Sequence, residues 1–247
     1  VVRTSAVSLR LPVRQDAPGI ARREVVRGLG LRGDAAGCVA LLVSEAVTNS
    51  VIHTGLGEGD VVHIEPLTRE VLLELRDAIG VPEVFAAGYG GGPAALDASD
   101  EGWMAWAERA YPWHALPFAI RLRQGGRLVG TTSLADLDEA TEQCHLGWTA
   151  YAPDVWGTAV NPEAKLLVLG HAFAHGFGRV RIQADAANAR SRAAIVRLGA
   201  TFEGVLRRMR QDAEGTWRDV AVHSILVDEW PAVRDALVDR VRTARRP

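Results

Sequence analysis

The sequence predicts an α/β fold in which strands and helices are mixed along the chain, and three observations carry that prediction. Stretches 117–123, 127–134, 145–151 and 179–184 alternate apolar and polar residues as half-buried strands do. Stretches 161–173 and 188–199 show helical spacing between cap and stop residues. The chain has 247 residues, 48% of them hydrophobic and 23% charged, which is enough for one large or two small cores of a soluble globular protein.

The elements follow in order. Residues 7–12 alternate like a strand, 17–29 read as a helix bounded by glycine, and 34–53 read as a longer helix. In that helix Glu45, Asn49 and His53 stand four residues apart and share one face, with Val43, Val47 and Val51 opposite. A boundary falls near 57–60. Residues 61–85 predict a strand, a turn capped by Thr68 and an amphipathic helix. A glycine-rich loop spans 88–95, and 100–110 form a short helix that carries Trp103 and Trp106, aromatics suited to the core or to shaping a binding site. Strands 117–123 and 127–134, joined by Gln124-Gly125-Gly126, make a hairpin, and 145–151 is the next strand.

A turn of small residues, Gly157, Thr158 and Ala159, then leads into Asn161-Pro162-Glu163, read as a cap residue, a proline at the first helical position and an acid in the first turn. Leu166, Leu169 and Phe173 follow with Gly170 on the same face, and Gly176 and Gly178 supply the stop. Such a turn gathers free N–H groups and the positive end of a helix dipole in one place, which suits a phosphate. Strand 179–184 leads to Asn188, which opens a helix ending at Gly199, and 221–226 form a late strand. No internal repeat occurs.

A net charge of −2 offers no field for nucleic acid, and the Arg-rich tail 241–247 reads as a solvated terminus. The two cysteines, Cys38 and Cys144, have no metal-like spacing and are expected to be reduced, in a cytoplasmic protein. No apolar span of membrane length and no secretory leader is read. Lys165 is the only lysine and receives no role.

Asn188, Ser191, Ile195 and Gly199, with the Leu-Gly-Ala that closes their helix, resemble the acetyl-CoA-binding half of the GNAT N-acetyltransferases. Segments 204–207, 215–219, 224–226 and 228–231 look like the RimJ/RimL-like, ribosomal-protein-alanine branch of that family. The resemblance implies a GNAT domain over 61–240, with a mixed, mostly antiparallel sheet flanked by helices. It implies acetyl transfer from acetyl-CoA to a primary amine, either a peptide N-terminus or a small amine, by direct attack and without a metal. Trp156, Gly157, Thr158, Ala159, Val160 and Asn161 would then hold the pyrophosphate, although Asp154 stands where the family carries Arg or Gln. The thioester carbonyl would lie at 148–151, polarised by a main-chain N–H. His145, where the branch often has Glu, would be the base or else a surface strand residue. Asn188 would meet the pantetheine arm. Ser191 would protonate the leaving thiolate or merely cap its helix, and Arg190 and Arg192 would neutralise the 3′-phosphate or remain solvated. Transfer through Cys144 lacks a supporting motif. The substitutions at 145 and 154 leave open a domain that binds acyl-CoA without turning over.

The Glu45, Asn49, His53 face resembles the N-box of the histidine-kinase-like ATPases, especially the anti-sigma-factor serine kinases, and implies a partial ATPase segment over 1–60. In that family the Asn holds Mg²⁺ against the nucleotide and the Glu is the base. The family next needs strands, for which 62–64 and 71–75 are candidates, and glycines where Ile79 and Val81 stand. A non-catalytic remnant is therefore expected, and a Mg-ATP-binding regulatory protein with a sigma-factor or other partner is the alternative reading of the chain.

Overall fold

The computed structural model describes residues 61–244. Glu45, Asn49, His53 and Cys38, the strand and helices read in 1–60, and the end of the Arg-rich tail lie outside them. The described chain runs β1 (Val62–Pro66), α1 (Leu72–Ile79), α2 (Pro82–Ala86), α3 (Asp100–Ala110), β2 (Leu116–Leu122), β3 (Leu128–Asp138), β4 (Gln143–Tyr151), α4 (Val160–Ala174), β5 (Arg179–Asp185), α5 (Ala189–Leu198), β6 (Thr201–Gln211), β7 (Trp217–Leu226) and α6 (Trp230–Ala244). One seven-stranded sheet has the order β1-β2-β3-β4-β5-β7-β6. Every neighbouring pair is antiparallel except β4 and β5, which α4 joins as a crossover. This is the mixed, mostly antiparallel sheet that the family resemblance implied.

Strand alternation sorts side chains onto two faces of the sheet, and three core clusters form on them. Phe118, Leu134, Cys144, Leu146, Val180, Ile182 and Ile225 pack against α4, α5 and α6. Ala119, Leu128 and Ala150 pack with α1, α2 and α3 on the other face. In α1, Leu72, Leu75 and Ile79 recur at helical spacing and are each 0% exposed, a burial that stabilises by about 1.5–3 kcal/mol per side chain. Residues 71–75, the second strand that the ATPase resemblance calls for, are therefore helical. Trp103 is buried, with Nε1 donating to the Leu72 carbonyl at 2.7 Å, and belongs to this core.

Three local readings are corrected. Thr68 makes no side-chain cap; the chain enters α1 through a 3-10 turn, Arg69–Val71. Helix α4 begins at Val160, ahead of Asn161, with Ala159 at the cap position and no side-chain cap; the Thr158 hydroxyl accepts the Val160 N–H at 3.3 Å as the chain enters it. The Asn161 side chain does not cap; its Oδ1 is buried without a partner. Glu163 does more than meet the helix dipole. Fully buried, it accepts the Val61 and Val62 N–H groups at 2.8 and 3.1 Å and ties the start of β1 to α4.

Candidate active site

The parallel pairing of β4 with β5 runs only from Gln143↔Arg179 to Leu146↔Ile182. Beyond it β5 continues on β7 and β4 continues on β3, so the two strands part. At this point β4 carries a bulge, with Trp148 at φ 49° and a register shift between Thr131 and Ser133 of β3. The bulge adds one residue and inverts the alternation that follows. Trp148 and Ala150 thus pack toward α1 and α3, while Thr149 turns toward α4.

His145 lies just before the splay. Its neighbours Cys144 and Leu146 face α4, so its ring projects to the opposite face and is 5% exposed. A Cβ on Gly147 would meet His145 Cε1 at 2.9 Å and Nε2 at 3.0 Å, which places Nε2 against the last residue before the bulge. Nδ1 is farther from that Cβ, at 3.6 Å, and lies 3.7 Å from Asp136 Oδ2, while Nε2 is buried without a partner. Burial, with Arg181 adding to it against the opposing pull of Asp136, lowers the imidazole pKa to about 4, so the ring is neutral at pH 7. Beside it, an open cleft of about 690 Å³ is lined by His114, Asp136, Gln143, Arg179 and Arg181.

Across the splay lies the predicted phosphate turn. Gly157 is exposed with φ 79°, a conformation that favours glycine, and an added Cβ there would meet open space. The main-chain N–H groups of Gly157, Ala159 and Asn161 have no acceptor among the described residues. Trp156 is fixed by its Nε1 bond to the Tyr151 carbonyl at 2.8 Å, and the Arg190 guanidinium lies 3.9 Å above its ring. Turn and first helical residues of α5 therefore converge, and together they present donors and positive charge that fit an anionic group. Asp154 does not face this cradle as a free charge: it is ion-paired with Arg127 of the β2–β3 turn.

Other candidate residues are placed as follows. Asn188 caps α5, accepting the Ser191 N–H at 2.9 Å, and its Nδ2 donates to the Ala87 carbonyl at 2.7 Å. Gly88 makes this possible, since a Cβ there would stand 2.6 Å from Nδ2. The glycine-rich loop that follows is organised as two 3-10 turns and is held from its far side by Ala213 N–H on the Gly91 carbonyl. The Ser191 hydroxyl makes no hydrogen bond among the described residues. Arg192 lies apart from Arg190, donating to the Ala186 carbonyl at 3.2 Å and approaching Phe202. Cys144 is buried, and burial pushes its thiol up to about 12, so it supplies no thiolate.

The sequence profile of the GNAT acetyltransferase domain matches residues 62–201. The chain belongs to the GNAT acetyltransferase family. A solved structure from T. thermophilus described as an acetyltransferase is 33% identical, covers 74% of this chain and 95% of its own, and superposes with a TM-score of 0.65. A GCN5-related N-acetyltransferase from Brucella melitensis is 28% identical over 74% of this chain and 83% of its own, with a TM-score of 0.64. Mycobacterium smegmatis RimJ, solved in complex with CoA-disulfide, is 24% identical over 72% and 88%, with a TM-score of 0.54, and shows the same fold. Among curated protein sequences none matches. The protein is thus a GNAT acyltransferase, of a family that moves acetyl groups from acetyl-CoA to amine acceptors. The family match leaves residues 1–61 outside it.

Sequence reasoning missed two neighbours of this GNAT site. Asp136, which turns at φ 49° to face His145 and Arg181, has no motif. Lys165, the single lysine, stands in no motif, yet it is 7% exposed and bonds Thr132 Oγ1 at 3.0 Å and Thr149 Oγ1 at 2.7 Å.

Proposed function

We propose that this enzyme acetylates the α-amino group of a peptide by direct attack on acetyl-CoA bound at the β4–β5 splay. The observation that carries the reading is the parallel pair ending at Leu146↔Ile182 beside a bulged β4, with the open Gly157 turn at its mouth. Trp156, Gly157, Thr158, Ala159, Val160 and Asn161 form the pyrophosphate cradle, and Arg190, stacked on Trp156, adds its charge. Asn188 holds α5 and the 87–92 loop in place along the pantetheine arm. Arg192, turned toward Phe202, is left for a more distant phosphate. The peptide acceptor is supported by the likeness of 204–207, 215–219, 224–226 and 228–231 to the RimJ/RimL-like branch, and the cleft beside Asp136 gives it an approach.

His145 is the base. Its Nδ1–H faces Asp136, which leaves the Nε2 lone pair toward the splay. A base with a pKa near 4 takes little from a free ammonium group. It takes the proton once the neutral amine has attacked: as the N–C bond forms the nitrogen becomes strongly acidic, the C–S bond breaks, and Ser191 passes a proton from solvent to the departing thiolate, while His145 later returns its own to solvent.

Separate calorimetric titrations with acetyl-CoA and Mg-ATP test the assignment. Acetyl-CoA is expected to bind, more weakly in Gly157→Ala, and Mg-ATP to give no heat. A peptide beginning with alanine should then release free CoA thiol in the presence of wild-type protein and far less with His145→Ala. Binding of Mg-ATP without acetyl-CoA would overturn the assignment in favour of a regulatory nucleotide-binding protein.

A further inference from the structure

Lys165 occupies the second turn of α4, where Val160, Pro162, Ala164, Leu166, Val168 and Leu169 are all buried. A leucine or methionine would pack here at no electrostatic cost. A buried ammonium group instead loses its hydration and recovers little of it from two hydroxyls. Those hydroxyls are not randomly placed. Thr132 lies on β3 and Thr149 on β4, their oxygens 2.8 Å apart, and both reach the Gly147 carbonyl at 3.4 Å. Thr149 faces Lys165 only because the bulge inverts the alternation of β4. The distortion that opens the splay and the seat of the lysine are therefore one feature.

The charges around it are few. From β3 and β4 it meets only the two threonines. His145 lies across the sheet on the far face of β4, with Asp136 and Arg181 beyond it. On α4 itself, Glu163 directs its carboxylate at the Val61 and Val62 N–H groups. Among the described residues no carboxylate forms an ion pair with Lys165, and burial lowers its pKa to about 7.

We propose that Lys165 is a positioning residue for acetyl transfer: anchored on Thr132 and Thr149, it fixes the open half of β4 and sets a positive charge beneath the splay where the thioester oxygen and the leaving sulfur become negative. The proposal rests on the acetyl-CoA site described above. A buried cation without a counter-anion is stabilised when an anion arrives, and the anion equally by the cation. His145 and Lys165 bracket β4 from its two faces, one receiving the proton and the other offsetting the charge.

The chain contains a single lysine, so full-length protein carrying [¹³Cε]lysine gives one side-chain methylene signal whose pH titration reports Lys165 alone. The signal is followed in the free protein, with CoA, and with desulfo-CoA, which keeps every phosphate and lacks the sulfur. CoA is expected to raise the midpoint by about one unit or more, a tenfold effect, relative to desulfo-CoA. Thr149→Val, which keeps the lysine and the apolar packing, should shrink that difference. A lysine that merely fills space predicts equal midpoints with the two ligands. Equal midpoints, with calorimetry showing both ligands bound, overturn the proposal. If calorimetry shows that neither binds, the acetyl-CoA site itself is wrong and the proposal falls with it.

Discussion

Gly147→Ala tests the orientation of His145 without touching the ring. The backbone of Gly147 lies outside the left-handed region, so alanine brings no conformational strain, only a methyl group 2.9 Å from His145 Cε1 and 3.0 Å from Nε2. Both distances lie well inside carbon contact, and the ring has little room to move: it is 5% exposed, with the Trp148 ring 5.3 Å away. Overpacking of this kind costs about 1–3 kcal/mol. In a described domain of this size each kcal/mol lowers Tm by roughly 2–4 °C. The assay is a double-mutant cycle by urea unfolding, paired with turnover measurements. In a His145→Ala background the methyl group has nothing to meet, so its cost should fall to within about 0.5 kcal/mol of zero. Turnover of Gly147→Ala should fall with the KM for acetyl-CoA little changed, because the added methyl meets His145 and no residue of the phosphate turn. An equal penalty in both backgrounds, or full turnover in Gly147→Ala, would refute the placement of Nε2 against the splay.

Two further outcomes are expected. Lys165 binds its proton less readily folded than unfolded, its pKa lowered from 10.5 to about 7, so the unfolded chain holds more protons in between and stability must rise with pH. From pH 7, where the folded lysine is half protonated, to pH 9 the gain is about 2 kcal/mol, an order-of-magnitude figure from about 1.4 kcal/mol per unit at full proton difference, and Lys165→Met should flatten that slope in urea titrations. Asn188→Ala removes both the α5 cap and the bond to Ala87, a loss of about 1–2 kcal/mol by thermal unfolding; full stability would show that neither bond matters.

Much of the fold was legible because its signals are local. Alternation placed β2 to β5 and β7, and Asn188 and Gly199 marked both ends of α5, with the side-chain cap and the left-handed stop in place. The turn at Gly157 was legible too, since glycine tolerates the positive φ that it adopts. What escaped was set by tertiary context. Asn161 has the right chemistry for a cap, but the helix begins ahead of it at Val160, and its Oδ1 is left without a partner. The bulge at Trp148 has no sequence mark, since a tryptophan at φ 49° is chosen by its packing and by the Nε1 bond to the Ala110 carbonyl at 2.6 Å. Lys165 became visible only when the inversion of β4 brought Thr149 beneath the sheet.

The single amide of Asn188 joins two parts of the enzyme that would otherwise vary independently. Its oxygen belongs to the start of α5, and its nitrogen to the Ala87 carbonyl at the head of the glycine-rich loop. Any side chain at position 88 would collide with it. A loop borrowed from a relative to replace 88–95 therefore brings its own demand on position 188, and the pair has to be exchanged as a unit if the graft is to keep both the cap and the bond to Ala87.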